Sequence, residues 1–310
     1  MVGACELSIV IPASDGRAVP PRVLEAVRAA AGERDEVILV DRGAGPAAAR
    51  NEGARRASAP VVVFVDSDVE VHPDALERIR VSMRDDPALT AVFGSYDDSP
   101  ACTDPVSLFR NLLHHHVHQQ GAGPTTTFWA GLGAVRRDAF LAAGGFDAGS
   151  YPRPMMEDVE LGMRLTRRGG RIELDPRLRG KHLKRWTLRE MLRTDLTRRG
   201  IPWVRLLLRE RQGSSALNLA PLHRVSALLA AGIVACLPRG PRRLVALQLA
   251  LFAALNRRFY LLLLRRGGGR AATAGLALHL VHHLTAVVSL AVGVAAHAAT
   301  TGGGRMRPRG

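Results

Sequence analysis

Hydrophobic positions along the chain follow two regimes. In the first, short β-branched runs alternate with amphipathic stretches. Leu7 to Ile11, stopped by Pro12, reads as a buried strand. Pro20 and Pro21 open a helix on which Val23, Leu24, Val27 and Ala31 recur at helical spacing. A second strand, Glu36 to Val40, ends at Asp41, and Gly45 to Ala57 is an Ala-rich helix carrying Arg50 and Asn51. Val61 to Val65 is an unbroken apolar strand ending on Asp66-Ser67-Asp68. Strand, helix, strand, helix, strand predicts right-handed crossovers and an α/β, doubly wound, mostly parallel sheet covered on both faces. Further on, Phe128 to Gly133 reads as a strand, and Glu157 to about Arg168 as a helix.

Beyond about residue 215 the pattern changes. Leu222 to Leu237, Leu244 to Leu255 and Ala271 to Ala299 are rich in Leu, Ala and Val, and arginines separate them. A bilayer crossing takes about 20 residues. The last run is long enough, the first marginal and the second short, so one span with an interfacial pair and three spans both stand. Both connecting segments are basic, so the positive-inside rule does not choose.

Composition sharpens this picture. The 310 residues exceed an α/β unit of roughly 220 and call for a second structural layer. The net charge is +15 although 47% of residues are hydrophobic, a pairing that fits an anionic membrane surface. Nucleic acid is disfavoured as a partner, because aromatics are only 5% and no zinc-finger or RNP-like pattern occurs. From Arg164 to Arg211 sixteen basic residues face five acidic ones. Within that segment Leu188, Met191, Leu192 and Leu196 form an apolar stripe in a basic collar, as in a helix lying in the membrane interface. A solvated helix packed on the sheet domain is the alternative. Cys5, Cys102 and Cys236 are too few and scattered for a disulfide framework, and no signal peptide is read at the N-terminus, so the first domain is expected in the cytoplasm.

In a doubly wound sheet the ligand crevice lies past the carboxyl ends of the strands. Pro12 to Asp15, Asp41 and Asp66 to Asp68 all fall there. Two carboxylates on one tight turn suit Mg²⁺ or Mn²⁺ shared with a diphosphate, and equally suit a plain strand-ending turn. Glu157 and Asp158 read either as a catalytic pair, in which like charge raises one carboxyl pKa, or as the acidic first turn of a helix. His114, His115, His116 and His118 resemble a metal cluster, but neighbours that close do not share a helix face. The glycines of Phe128-Trp129-Ala130-Gly131-Leu132-Gly133 would let a substrate approach the backbone, with core packing as the alternative. His279, His282 and His283 are either functional in a membrane or a stripe facing protein.

Seven fragments, in order and at matching spacing, resemble the family-2 inverting glycosyltransferases of the GT-A fold: Ser8-Ile9-Val10-Ile11-Pro12, Glu36 to Asp41, Ala49-Arg50-Asn51-Glu52-Gly53, Val63 to Asp68, Gly144-Gly145-Phe146-Asp147, Glu157 to Leu161, and Arg164-Leu165 with Gly169. The resemblance covers about Leu7 to Trp186. It implies that Pro12, Ala13 and Asp41 hold the nucleoside and that Arg50 and Asn51 line the donor side. Asp66 and Asp68 would take the donor and its metal, and Asp158 would be the catalytic base beside Glu157. Lys181-His182-Leu183-Lys184-Arg185-Trp186 is similar to the Gln-x-x-Arg-Trp motif of membrane-bound members, with His182 in the Gln position. By that likeness Arg185 contacts the diphosphate and Trp186 floors the acceptor pocket, with Trp129 and Gly131 on the same side, while His182 completes the metal shell. Arg42 replaces a usual acid, and Ser14-Asp15-Gly16 replaces another.

The expected plan is a GT-A domain over 1–186, a basic interfacial region over 187–220, hydrophobic membrane helices over 221–300 and a basic tail over 301–310. The expected reaction is a metal-dependent inverting transfer from a UDP- or GDP-sugar to a lipid or lipid-linked acceptor, with the catalytic domain on the cytoplasmic side of the cell membrane. A nucleotidyltransferase and a decayed, non-catalytic membrane scaffold are the rivals.

Overall fold

A computed structural model describes residues 6–13, 18–41, 45–210 and 221–302. Ser14 to Gly16, Arg42 and the tail arginines Arg305, Arg307 and Arg309 lie outside the described residues. The chain divides into two units: Met1–Cys102 with Asn111–Arg185, and Thr103–Arg110 with Trp186–Gly310. The expected boundary at residue 186 and this division differ by one residue and by the short Thr103–Arg110 segment, which groups with the C-terminal unit.

The first unit carries β1 (Leu7–Pro12), α1 (Pro21–Ala30), β2 (Glu36–Val40), α2 (Pro46–Arg56), β3 (Val61–Val65), β4 (Val69–Val71), α3 (Ala75–Asp85) and β5 (Leu89–Tyr96). After α4 (Pro105–Gln120), which begins in the segment assigned to the second unit, come β6 (Gly123–Thr125), β7 (Leu132–Arg136), α5 (Arg137–Ala142), α6 (Glu157–Arg167) and β8 (Arg171–His182). The eight strands run in the order β2-β1-β3-β7-β5-β8-β4, with β6 also on β8. Strands β2, β1 and β3 are parallel, as the alternating pattern requires. Strand β7 is antiparallel to both β3 and β5, and β4 and β6 are antiparallel to β8. The sheet is therefore mixed rather than mostly parallel. The α/β class holds, but β4 is a three-residue strand and β7 follows the equally short β6, so neither announces its direction in sequence.

β-Branched and aliphatic side chains from both faces explain the hydrophobic continuity of β1 and β3. Ile9, Ile11, Val63 and Val65 join Val23, Val27, Leu76 and Ile79 in one core, while Phe64 on the opposite face packs edge-on against Phe146 and tilted against Phe140. Burial of a side chain of this size stabilises the fold by about 1.5–3 kcal/mol. A sheet fixed in this way holds its carboxyl-end loops in register.

The second unit contains α7 (Leu188–Arg193), a seven-residue π-helix (Thr194–Gly200), α8 (Ile201–Glu210), α9 (Pro221–Cys236), α10 (Arg242–Leu255) and α11 (Arg257–Gly302). Thr187 starts it with a reciprocal capping box: its hydroxyl accepts from the Glu190 N–H, and the Glu190 carboxylate accepts from the Thr187 N–H. Helix α11 is not straight. Gly268 adopts φ 70° and ψ −171°, a conformation open to glycine, and turns 257–267 back on the following stretch. The Tyr260 hydroxyl thereby meets His279 Nδ1 at 3.0 Å. Ala230, Ile233 and Phe252 pack with Leu276, Leu280 and Leu284, while leucines such as Leu228 (72% exposed) and Leu237 (62%) face outward. Among the described residues one helix, Arg257–Ala299, is long and apolar enough to cross a membrane by length and composition. His279 and His283 lie buried on its protein-facing stripe.

Candidate active site

Arg50 on α2 is the hub of the site. Its guanidinium is 5% exposed; it donates from Nη2 to Asp66 Oδ1 (2.6 Å) and from Nη1 to Glu157 Oε1 (3.1 Å). Asp66 stands at the end of β3, and Glu157 opens α6. One cation therefore ties two acids that lie 91 positions apart in sequence. The loop before β7 clips the same two elements through its backbone. Ala130 N–H donates to Asp158 Oδ2 (3.3 Å), while the carbonyl of the next residue, Gly131, accepts from Asp66 N–H (3.0 Å). Asp66 and Asp158 thus meet the backbone of one two-residue stretch.

Burial sets the electrostatics. It pushes the Asp158 carboxyl up to about 7, and the Glu157 charge adds to the rise, against the pull of Arg50 and the N–H groups of Val159 and Ala130. Asp66 is also raised, first by burial and then by Asp68 and Glu157, although Arg50 opposes this. Burial works on Asp68 in the same direction, but His182 and then Lys184 outweigh it and hold that carboxyl below its usual value. For Arg50, burial disfavours the charge, and Asp66 and Glu157 more than compensate.

Asp68 and His182 meet across β4 and β8, where Val69 pairs with His182. His182 Nε2 lies 3.7 Å from Asp68 Oδ2. Among the described residues no group of three His, Cys, Asp or Glu side chains stands close enough to hold an ion alone. The donors present still fit a divalent ion: two hard carboxylates on one turn and an imidazole beside them leave positions that phosphate oxygens and water commonly fill.

Several expected roles change. Asn51 does not face a donor. Its amide donates to Phe146 O and accepts from Phe146 N–H, both at 2.8 Å, and so clamps the Gly144-Gly145 turn. Glu157 has both oxygens engaged, by Arg50 and by Met155 N–H (2.7 Å), so its carboxylate is held in place beside Asp158. Arg50 likewise serves the two acids. Phe128 to Gly131 is a loop and not a strand, and the space over Gly131 belongs to the Trp129 indole, whose Cζ2 would lie 2.3 Å from an added Cβ. The glycine is needed for the protein's own aromatic ring, so approach of a substrate to that backbone is closed. Trp186 is buried in the second unit with the Arg110 guanidinium 5.4 Å over its ring, and it does not present the open face that the resemblance implied. Arg185 is exposed. The histidines of α4 split, as helix geometry dictates: His115 and His118 bond to the carbonyls of Tyr96 and Gly94, and His114 packs on Tyr96 and Trp129. Pro12 pairs with Val40, Ala13 N–H donates to Val40 O (2.8 Å), and Asp41 is exposed directly after β2.

Sequence reasoning missed Tyr96 and the backbone of Ala130 and Gly131. Tyr96 ends a strand on the crevice side, which was a usable signal. Backbone donors carry none.

The mixed α/β sheet is that of a GT-A-type fold. Residues 42–142 match the family described as Glycosyl transferase family 2. Over residues 42–142 the chain is thus similar to the family-2 glycosyltransferases, and it is a glycosyltransferase. Among solved structures it is similar to a mannosyltransferase from Pyrobaculum calidifontis in complex with GDP-Man and Mn²⁺, at 16% identity and a TM-score of 0.51, covering 93% of this chain and 88% of that one. It is also similar to S. aureus TarS 1-349 in complex with UDP-GlcNAc, at 14% identity and a TM-score of 0.46, covering 90% of each chain. A third likeness is to GalNAc-T7 with UDP, GalNAc and Mn²⁺, at 15% identity and a TM-score of 0.45, covering 66% of this chain and 48% of that one.

Proposed function

We propose that the chain transfers a sugar from a nucleoside-diphosphate sugar to a lipid or lipid-linked acceptor at the cell membrane, with inversion and with a divalent metal. The observation that carries this reading is the two-residue clip: Ala130 N–H on Asp158 and Gly131 C=O on the Asp66 backbone hold a metal-type acid and a base-type acid on one cleft. The complex of the Pyrobaculum enzyme with GDP-Man and Mn²⁺ supports the donor class and the metal.

Asp158 is suited to take the acceptor's proton. Its carboxyl titrates near 7, so at neutral pH a large fraction is ionised and basic enough to accept a proton as the glycosidic bond forms. Arg50 and Glu157 orient it and balance its charge. Asp66, Asp68 and His182 would hold Mg²⁺ or Mn²⁺. When bound, the ion would neutralise charge developing on the departing diphosphate. Pro12, Ala13 and Asp41, past the ends of β1 and β2, would hold the nucleoside, and exposed Arg185 would meet the diphosphate. The apolar helix in 257–299, the outward leucines and the net charge of +15 support membrane attachment, and a membrane-attached enzyme favours a lipid acceptor. The catalytic domain is assigned to the cytoplasmic side.

Membranes containing the protein, incubated with a panel of radiolabelled UDP- and GDP-sugars and then extracted into organic solvent, test this directly. Label is expected in the lipid fraction with one donor, abolished by EDTA and restored by Mn²⁺ or Mg²⁺. Transfer that survives complete chelation would remove the metal from the mechanism, and label confined to water-soluble product would remove the lipid.

A further inference from the structure

Tyr96 has no place in the chemistry described so far, yet its ring meets His114, Trp129 and His182. Its ring lies flat against His182, with centroids 4.0 Å apart and planes 14° from parallel. Trp129 meets it edge-on at 4.9 Å, and His114 tilts against it at 4.3 Å. Its own carbonyl is held by His115 Nδ1 at 2.8 Å. Residue 96 is therefore fixed from below by α4 and from the side by the loop that clips Asp158.

His182 needs such a partner. The side chain is 5% exposed, and its Nε2 is 3.7 Å from Asp68 Oδ2, an ion-pair distance rather than a hydrogen bond. Strand pairing of Val69 with His182 fixes the backbone but leaves rotation about the side-chain bonds to be decided by packing. A parallel stack restricts that rotation to motion within the ring plane, which keeps Nε2 directed at Asp68.

We infer that Tyr96 is a positioning residue for the metal site: its ring holds the His182 imidazole in the orientation that lets Asp68 and His182 act on one divalent ion. The inference rests on the metal reading under Proposed function. Outer groups that orient a ligating histidine usually do so by hydrogen bond, whereas here the orienting contact is a ring face. The ring face is therefore the part of Tyr96 that the inference requires.

The test is a Mn²⁺ titration followed by electron paramagnetic resonance, on the full chain in detergent with UDP or GDP present. Four variants are compared: Tyr96→Leu, Tyr96→Phe, His182→Ala and the double variant Tyr96→Leu/His182→Ala. Tyr96→Leu is expected to raise the Mn²⁺ Kd by about tenfold or more, the usual cost of removing a ligand's orienting partner. Tyr96→Phe is expected to bind like the parent, and the double variant no more weakly than His182→Ala alone, since the two residues act as one unit. Thermal unfolding of each variant is followed in parallel, and Tyr96→Met replaces Tyr96→Leu if the latter does not fold. Parental Mn²⁺ affinity in the ring-less variant, or additive losses in the double variant, overturns the inference while leaving the metal site intact. Unchanged affinity in His182→Ala overturns it together with the assignment of His182 to the metal.

Discussion

Two aspartates, half-buried Asp158 in the sheet unit and buried Asp195 in the helical unit, have been treated in opposite ways by the fold. Asp158 in the sheet domain has two backbone N–H groups and no cation in direct contact among its bonded partners, with Glu157 as its neighbour. Asp195, in the π-helix of the helical unit, is met by Arg110 Nη2 at 2.6 Å and His282 Nδ1 at 2.9 Å. Burial raises both. For Asp158 the rise stands, at about 7. For Asp195 the charges of Arg110, then His282 and Arg199, overcome it and hold the carboxyl well below the usual range. A carboxylate kept dear to protonation serves structure, and one poised near neutrality serves proton transfer.

The largest effect expected from breaking this contrast is on the sheet side. Asp158→Asn keeps the volume and an oxygen for one of the two backbone N–H groups but has no basic form. The rate of transfer is expected to fall by about 10²–10⁴ with the unfolding midpoint retained, measured with saturating donor. A protein that transfers at the parental rate would remove Asp158 from the chemistry. Next in size is Asp195→Ala, which leaves Arg110 buried at 7% side-chain exposure without its partner. Loss of one member of a buried pair costs about 3–5 kcal/mol, so thermal unfolding in detergent should shift down strongly. A midpoint unchanged from the parent would mean that the pair is not a structural element.

How much of this was legible in the sequence follows from what each residue uses to act. Strands β1, β2 and β3 and helix α6 were placed within a residue or two, because their signals are local: β-branched runs, prolines and an acidic first turn. The convergence of Asp66 and Asp158 was legible through the fragments shared with family-2 enzymes and through the rule on strand ends. What was not legible is the backbone. The Ala130 N–H, the Gly131 carbonyl and the Asn51 clamp on Phe146 depend on chain path, and no side-chain pattern encodes them. The antiparallel run of β7 escaped for the same reason, and with it the placement of Trp129 over Gly131. Arg50 was read as facing the donor and is bonded to Asp66 and Glu157, since a basic residue near a diphosphate pocket reads identically whether it faces phosphate or carboxylate.

The smallest effect expected is also the most specific to the cause assigned to Asp158. If the base is ionised Asp158, kcat/KM rises with pH through the region of its pKa, near 7, and the acid limb belongs to the free enzyme. Glu157 is the second cause of the raised value, after burial. Glu157→Gln removes a negative neighbour while keeping an oxygen for the Arg50 N–H, so the ionised form of Asp158 becomes easier to reach. Its pKa must fall, and the acid limb must move to lower pH. Burial, the larger cause, is untouched, so the limb should stay above the ordinary carboxylate range near 3.9. The predicted signature is therefore a profile displaced toward acid, with activity gained on its low-pH side relative to the parent. Displacement toward alkali would show that Glu157 supports the charged form, and an unmoved limb would show that some other group titrates there.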